Sequence, residues 1–580
     1  MSPAKHPGGH LGRARALISR TIRLASKRDG GTDDSLEKWR EAAARTGADL
    51  LPPRLPASKS RTGFADTRIG DAPADLAAFA RTAPADRLLG LIDNLIHTID
   101  LKSLMTLQAA IEIAPVRDYL YCRLLARHQC YEPALAAAQG LLERLQAVLA
   151  EPAATRWRHE VIAIAAQCAM TLGRAGEAHA WIDKDPTFKA ARQDAVLQIL
   201  WRNEPRECEA LAARLAFGAS KRANAAVLFS YLPLLSGDIA GARGNLNIQY
   251  HRQAGLGRHV SSELLLCDAA ISVAEHNTGR ASEAYTNYFE SFGLSSPLKG
   301  PFDSAQLFFD QLENASVGSS SNGPLVTVIM TAHNSAQTIG YALASLRSQS
   351  HGNLEIIVVD DASTDSTPSL LSDAVKSDTR IVPLRSERNI GTYASKNRAL
   401  RIAQGKYFTC LDSDDWAHPK RIEMHVDLME ANPKIVASES DWIRITADGA
   451  SQLRRTAGGF RHPNPASPFY RRQEVVDAIG FYDRVMIDAD IEQGRRVLAH
   501  FGPAAKARLH APLTLGFHRP ESLMRKGLGA MSDEYYSEIR SEYRFAALQW
   551  RMRNAGRSMF FSGDEKERPF PAPPDMLVPE

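Results

Sequence analysis

Four apolar runs in the second half of the chain, VTVIM (326–330), LEIIVV (354–359), RIVPL (380–384) and KYFTCL (406–411), alternate with helical patterns such as SAQTIGYALASLRSQ, STPSLLSDAVKS and TYASKNRALRIAQG. A strand that is apolar on both sides must be covered on both sides. Short β-branched strands separated by helices achieve this as a parallel sheet with helices over each face. The expected fold of this half is therefore α/β and Rossmann-like, an arrangement in which ligands settle beyond the carboxyl ends of the strands.

The first half reads differently. From about residue 74 to 313 the chain is rich in Ala and Leu at 3.6-residue periodicity, with almost no strand signal. Turns recur as YEPALAAA (131–138), GRAGEAHA (173–180), GDIAGARG (237–244) and GRASEAYT (279–286), in which a small or polar residue precedes an alanine expected to begin the next helix. Their spacing is irregular, but they resemble the helix-turn-helix units of tetratricopeptide-like repeats. An all-α helical-repeat domain is expected over 74–313, either binding a protein partner along its concave face or acting as a scaffold. The stretch NASVGSSSNGP, 314–324, reads as a linker to the α/β domain at 325–530. Residues 531–580 are expected as a helical extension ending in a disordered Pro-rich tail, ERPFPAPPDMLVPE.

At 580 residues the chain is too long for a single core. A net charge of +4 is too small to imply nucleic acid as a partner. Six scattered cysteines, without a Cys-x-x-Cys pair, read as reduced thiols. No stretch approaches the roughly 18 apolar residues of a membrane span, and the N-terminus lacks the apolar core of a secretory signal. A cytoplasmic location is expected. Residues 1–73 read as a basic amphipathic segment and a polar linker. Within them LGRARALISRTIRLASKR (11–28) places apolar residues at helical spacing among arginines, either a frayed tail or a peripheral contact with the inner face of the cell membrane.

Acids collect where the strand rule directs attention. The run at 354–359 ends in Asp360-Asp361, and the run at 406–411 ends in Asp412-Ser413-Asp414-Asp415. Each cluster alone is explained by helix capping, with Ser363, Thr364 or Ser366 serving the first helix and Asp415 the second. Together on one sheet edge they are crowded carboxylates that need a cation. Oxygen donors without nearby His or Cys suit Mg²⁺ or Mn²⁺.

The sequence VTVIMTAHNSAQTIGYALASLRSQS, followed by LEIIVVDDASTDST, RNIGTYASKNRAL and GKYFTCLDSDDWAHPKRIE, resembles a family 2 nucleotide-sugar glycosyltransferase of GT-A fold over roughly residues 325–525. The resemblance implies that Thr331, Ala332, His333 and Asn334 line the nucleotide base, although Thr331 and His333 depart from the family's usual Pro-Thr-Tyr-Asn. It places Asp360 and Asp361 on base and ribose. Asn389, Gly391, Lys396 and Asn397 fall in a further nucleotide-binding segment, with Lys396 where Arg is usual. Asp412 and Asp414 form the D-x-D pair: Asp412 and Ser413 lie beside the nucleotide, and Asp412 and Asp414 hold the metal, Asp414 most directly. In ADIE (489–492), Asp490 matches the base that deprotonates the acceptor hydroxyl in inverting transfer; the alternative is a helix cap. Asp488 is a competing acid, and Glu492 with Arg496 has the spacing of a structural ion pair. His518 either completes the metal shell, touches the diphosphate, or faces solvent or core; Arg519 is another phosphate contact. Trp416 and His418 either wall the acceptor side or only pack.

The implied activity is transfer of a sugar from a nucleoside-diphosphate donor to a hydroxyl of a glycan or lipid-linked acceptor, in surface polysaccharide or glycoconjugate synthesis. A scaffold with an inactive transferase-like domain is the alternative, but mutually repelling acids would serve no purpose in it. A nucleotidyltransferase lacks support because no Gly-rich phosphate loop follows the first strand.

Overall fold

In the computed structural model the described residues run from 77 to 578, except for 78–79, 98, 152, most of 201–222, 258, 314–321, 454–458, 520–536 and 564–567. The basic segment 11–28 and most of the expected linker lie outside them.

The first half is helical, and its helices form hairpins: Ala114–Arg127 with Tyr131–Ala138, Ala153–Thr171 with Ala175–Ile182, Ala223–Leu235 with Ile239–Gly255, and Ser262–Ala274 with Thr278–Glu290. The four turns share one backbone geometry. A residue with positive φ closes each first helix: Gln129 (59°), Gly173 (81°), Gly237 (83°) and His276 (55°). The next amide then reaches back five residues, Cys130 to Leu125, Arg174 to Ala169 and Asp238 to Pro233 at 2.9 Å, and Asn277 to Ser272 at 2.8 Å. This is the Schellman ending, which satisfies carbonyls the helix would otherwise leave bare. Only at Ala175 does the second helix begin on the expected alanine. Elsewhere it begins earlier, at Tyr131, Ile239 and Thr278. Side chains decide two of these starts, because Asp238 accepts from Gly241 N and Asn277 from Arg280 N.

The second half contains the expected α/β GT-A architecture. The four expected strands are present as β1 (Val326–Ala332), β2 (Leu354–Asp360), β3 (Ile381–Arg385) and β4 (Tyr407–Cys410). They lie parallel in the order β3-β2-β1-β4. The sheet then continues with strands that the apolar runs did not reveal: β5 (Asp415–Ala417), β6 (Ala437–Ile445), β7 (Ser451–Gln452), β8 (His462–Pro463), β9 (Phe469–Arg471) and β10 (Lys506–Phe517). The main path continues from β4 through β9, β6 and β10 to β5, with β7 and β8 paired to β6. Antiparallel β4–β9 pairing makes the sheet mixed.

Strand β1 explains the packing. Val326, Val328 and Met330 enter one core, whereas Ile329 joins Ile357, Val359, Phe408 and Cys410 in another. The first core continues without a break into the helical half through Phe289, Phe302, Phe308 and Phe309. Polar contacts cross the same junction: Tyr285 Oη donates to Gly449 O at 2.7 Å, and Glu263 accepts from Phe460 N at 2.6 Å. The helices are thus packed onto the α/β domain through a shared core.

The C-terminal expectation needs correction. Helix Glu538–Arg553 is present, but the described part of the Pro-rich tail is ordered against the α/β domain. Phe570 and Met576 are buried with Tyr393, Tyr482, Val485, Ala489, Tyr543 and Phe561. Met486 N donates to Met576 O at 2.8 Å, and Arg568 pairs with Asp483. Prolines exclude helix and central strand, but they do not prevent an extended segment from burying the apolar residues between them. Phe570→Ala should cost roughly 3–5 kcal/mol by removing a buried ring, read as a lower urea midpoint; an unchanged midpoint would show that the ring is not packed.

Candidate active site

The parallel register brings the acids to one edge. Ala332 at the end of β1 is paired with Asp360, and Ile329 with Cys410, two residues before Asp412. Loops beyond these ends are stitched together by side chains. Thr331 and Thr392 hydroxyls meet at 2.7 Å, Ser335 and buried Ser413 at 2.9 Å, and His333 Nδ1 lies 2.8 Å from Asp361 O. Asn334, in the left-handed region at φ 50°, accepts from Thr364 N at 2.9 Å. His333, Asn334 and Asn389 are exposed along this edge, whereas Ala332 is buried in the strand and accepts from Asp361 N.

Asp360 and Asp361 organise their loops. Asp360 accepts from Ser363 N at 3.0 Å, with Arg385 at 3.4 Å from its other oxygen. Asp361 uses both oxygens on backbone amides, Ile390 N at 3.0 Å and Gly391 N at 2.8 Å. Gly391 has φ 82°, and a Cβ there would meet Met486 Sδ at 3.2 Å and Val578 at 3.4 Å, so only glycine lets these segments approach. Asn397, expected to touch the nucleotide, instead holds the backbone of Tyr482 at both ends of its amide, at 2.8 and 2.9 Å. Its buried position assigns it to fixing the segment that leads to Asp490.

The three aspartates after β4 separate. Lys396 Nζ lies 3.1 Å from Asp412, which is 37% exposed. Arg519 lies 3.0 Å from Asp414, which is 18% exposed. Burial pushes the Asp414 carboxyl up, Arg519 opposes the shift, and Asp412 adds to it. Asp415 does not cap a helix as expected. It belongs to β5, opposite Gly516, and the following helix begins only at Arg421. Its carboxyl is buried, with Oδ2 lacking a hydrogen bond, and is pushed well up by burial and then by Asp414. Trp416 and His418 pack: both are buried, and His418 stacks on Phe289. His518 follows β10, where its amide donates to Ile445 O at 2.8 Å.

Downstream, Asp490 stands in the first turn of helix Ala489–Phe501, and the N-cap is Asp488. Asp490 Oδ1 accepts from Tyr393 Oη at 2.9 Å and from Ile491 N at 2.8 Å. Both hydrogen bonds fall on Oδ1, which leaves Oδ2 to take a proton. Burial raises this carboxyl above the ordinary range, while Lys396 opposes the shift and Asp488 reinforces it. A stronger base results. Lys396, itself buried, has its ammonium pushed up despite burial, first by Asp412 and also by Asp490. One cation therefore acts on both the D-x-D aspartate and Asp490.

The competing acid is occupied. Asp488 is buried between Arg540 and Arg544 of helix Glu538–Arg553. Burial opposes its charge, yet these arginines hold its carboxyl below the ordinary range. Glu492 makes the expected pair with Arg496 at 2.7 Å and also meets Arg551 at 3.2 Å. Sequence reasoning missed Tyr393, Arg540 and Arg544. Tyr393 carried a signal, standing three residues before Lys396 and so on the same helix face; the arginines came from a region with no motif.

Among the described residues no group of three or more His, Cys, Asp or Glu is arranged as a metal site. The donor chemistry nonetheless fits a divalent cation. Asp412 and Asp414 offer hard oxygens, half-buried, each now offset by a single side-chain cation.

Residues 327–484 match the family model described as Glycosyl transferase family 2. This segment is a family 2 glycosyltransferase domain. Over 119 residues, 20% of this chain and 37% of its own length, an uncharacterized glycosyltransferase of Haemophilus influenzae is 43% identical. The putative teichuronic acid biosynthesis glycosyltransferase TuaG of Bacillus subtilis is 40% identical over 106 residues, 18% of this chain and 42% of that protein. A β-1,3-glucosyltransferase of Escherichia coli, WfaP, acting from UDP-Glc on α-D-GlcNAc-diphosphoundecaprenol, is 36% identical over 118 residues, 20% of this chain and 46% of that protein. The chain spans less than half the length of each of these relatives. Among solved structures, S. aureus TarS 1–349 with UDP-GlcNAc is similar at TM-score 0.32 and 18% identity, over 40% of this chain and 68% of that one. The family segment includes the D-x-D aspartates and ends before Asp490.

The two neighbouring acids predict opposite responses. Asp488 contributes stability above its unfolded pKa of about 4, lost as pH falls through its lower folded value. Asp488→Asn should therefore cost roughly 3–5 kcal/mol at pH 7, with the deficit shrinking in acid. Asp490 has the raised folded pKa, so its ionisation weakens the fold as pH rises above about 4. Asp490→Asn should be at least as stable as the parent at pH 7. Thermal unfolding at pH 7, pH 4 and about pH 3 checks both, because the Asp488 deficit closes only below its unfolded pKa.

Proposed function

We propose that the chain transfers a glycosyl group from a nucleoside-diphosphate sugar to a hydroxyl of a glycan or lipid-linked acceptor, with inversion, in surface polysaccharide or glycoconjugate synthesis. One observation carries the reading: helix Thr392–Ile402 ties the two acids together, with Lys396 3.1 Å from Asp412 and Tyr393 Oη donating to Asp490 at 2.9 Å. One helix supporting both the group meant to face the departing diphosphate and the group meant to receive a proton is what a transfer site of this kind needs.

In the reaction, the bond from the anomeric carbon to the diphosphate breaks and a bond to the acceptor oxygen forms. The acceptor proton passes to Asp490 Oδ2, and the nucleoside diphosphate leaves with the electron pair. Asp412 and Asp414 would hold Mn²⁺ or Mg²⁺, with His518 a further donor. When bound, that ion supplies Lewis-acid stabilisation of negative charge on the diphosphate. Arg519 and Lys396 supply positive charge from the chain itself at the same edge. The left-handed Asn334 and the amide-fixed loop at 389–391 form the rim for the nucleotide, a preorganised surface that need not be ordered on binding. Among the described residues no helix is long and apolar enough to cross a membrane.

A thermal-shift screen of nucleotide sugars with and without Mn²⁺ should return one donor that raises Tm more strongly with the ion. Asp414→Ala should remove the ion-dependent part. No shift with any nucleotide sugar would overturn the donor assignment. With the donor in hand, Asp490→Asn should bind it within about twofold and lose roughly 10²–10⁴ in transfer rate; full activity would remove Asp490 as the base.

A further inference from the structure

The turn of the first helical hairpin and the segment carrying Asp490 are held by the same guanidinium. Arg544 Nη1 donates to Gln129 Oε1, and its Nε donates to Asp488 Oδ2 at 2.5 Å. Arg544 is 3% exposed, as is Asp488. Arg495, on the helix that begins at Ala489, completes a ring by donating to His128 O at 2.6 Å and to Gln129 Oε1 at 3.3 Å. Arg540 takes the other oxygen of Asp488.

Two features set this ring apart from an ordinary buried ion pair. Gln129 and Asp488 are both non-glycine residues in the left-handed region, at φ 59° and 73°, where a side chain is strained. Each is held there by polar contacts that include Arg544. Asp488 is also the N-cap residue whose carbonyl accepts from Glu492 N at 3.0 Å, so its backbone angles set the direction of the turn containing Asp490. Helix Glu538–Arg553, which carries Arg544, is itself attached to the hairpins: Gln549 donates to Tyr121 Oη at 2.7 Å, and Glu538 pairs with Arg174 at 3.1 Å.

We propose that Arg544 is a positioning residue that fixes Asp490 through Asp488 and makes the placement of the base depend on the helical half of the chain. This rests on the reading of Asp490 as the base. The helical hairpins thereby act on transfer, beyond serving as a packed support. An error of about 1 Å in the placement of a reacting group costs on the order of 10²-fold in rate.

The test uses the full chain. Arg544→Met should lower transfer kcat on the order of 10²-fold while leaving the KM for the donor returned by the thermal screen within about twofold. Arg544→Lys, which keeps the charge but loses the fork, should recover part of the loss. Gln129→Gly adopts the same φ without strain and removes only the amide acceptor. It should speed amide hydrogen exchange at 486–492 and lower kcat, with exchange across 326–332 unchanged. A folded Gln129→Gly with parental kcat and parental exchange at 486–492 overturns the proposal, as does faster exchange spread evenly over the chain. The exchange measurement needs no turnover. If Asp490→Asn proves fully active, the base assignment falls, and selective exchange in Gln129→Gly would still report the mechanical tie.

Discussion

Repulsion among carboxylates at the strand ends is the constraint around which this molecule is arranged. Parallel strands deliver Asp360, Asp361, Asp412 and Asp414 to one edge, and unpaired they would oppose folding. Each is offset from a different part of the chain: Asp360 by the Ser363 amide and Arg385, Asp361 by the amides of 390 and 391, Asp412 by Lys396, and Asp414 by Arg519 from beyond β10. The offsets differ in kind. Amides that saturate Asp361 make it a structural anchor, whereas single ion pairs at the half-buried Asp412 and Asp414 leave oxygens able to engage a stronger counter-charge. The edge is thus assembled by the fold before any ligand arrives.

The same logic separates Asp488 from Asp490, two acids a single residue apart. Two arginines hold the first ionised and buried; burial, reinforced by Asp488, raises the pKa of the second against the opposing effects of Lys396, the Ile491 amide and Tyr393. Chemistry that needs a base near the operating pH is served by the second arrangement. The C-terminal helix and tail form the cage, because Arg540, Arg544, Tyr543, Arg568 and Met576 all contact the stretch from 483 to 488.

Much of the candidate site was legible because its residues stand where periodicity ends. Four apolar runs named four strands, and the acids directly after them named an edge. Legibility failed where the pattern was weak. Strands β5 to β10 are short, polar-rich or antiparallel, so no apolar run announces them, and Asp415, a helix cap by its local sequence, lies in β5. The Pro-rich tail looks disordered by composition, which does not reveal that Phe570 and Met576 pack into a buried apolar cluster. Asn397 sits in a nucleotide-binding segment by sequence, yet its amide faces the Tyr482 backbone.

By itself, the sequence determined the two-part organisation, the parallel strand core and the chemistry types at the edge, since these follow from local periodicity and from residue identity at strand ends. Only the tertiary structure decided which acid is held by which cation, that the tail and the C-terminal helix brace the stretch from 483 to 488 that leads to Asp490, and that Gln129 and Asp488 meet through Arg544. The longest of those contacts join residues far apart in the chain, Arg544 to Asp488 and to Gln129 above all, and pairing over such separations is set by packing of the whole core, which no local pattern encodes.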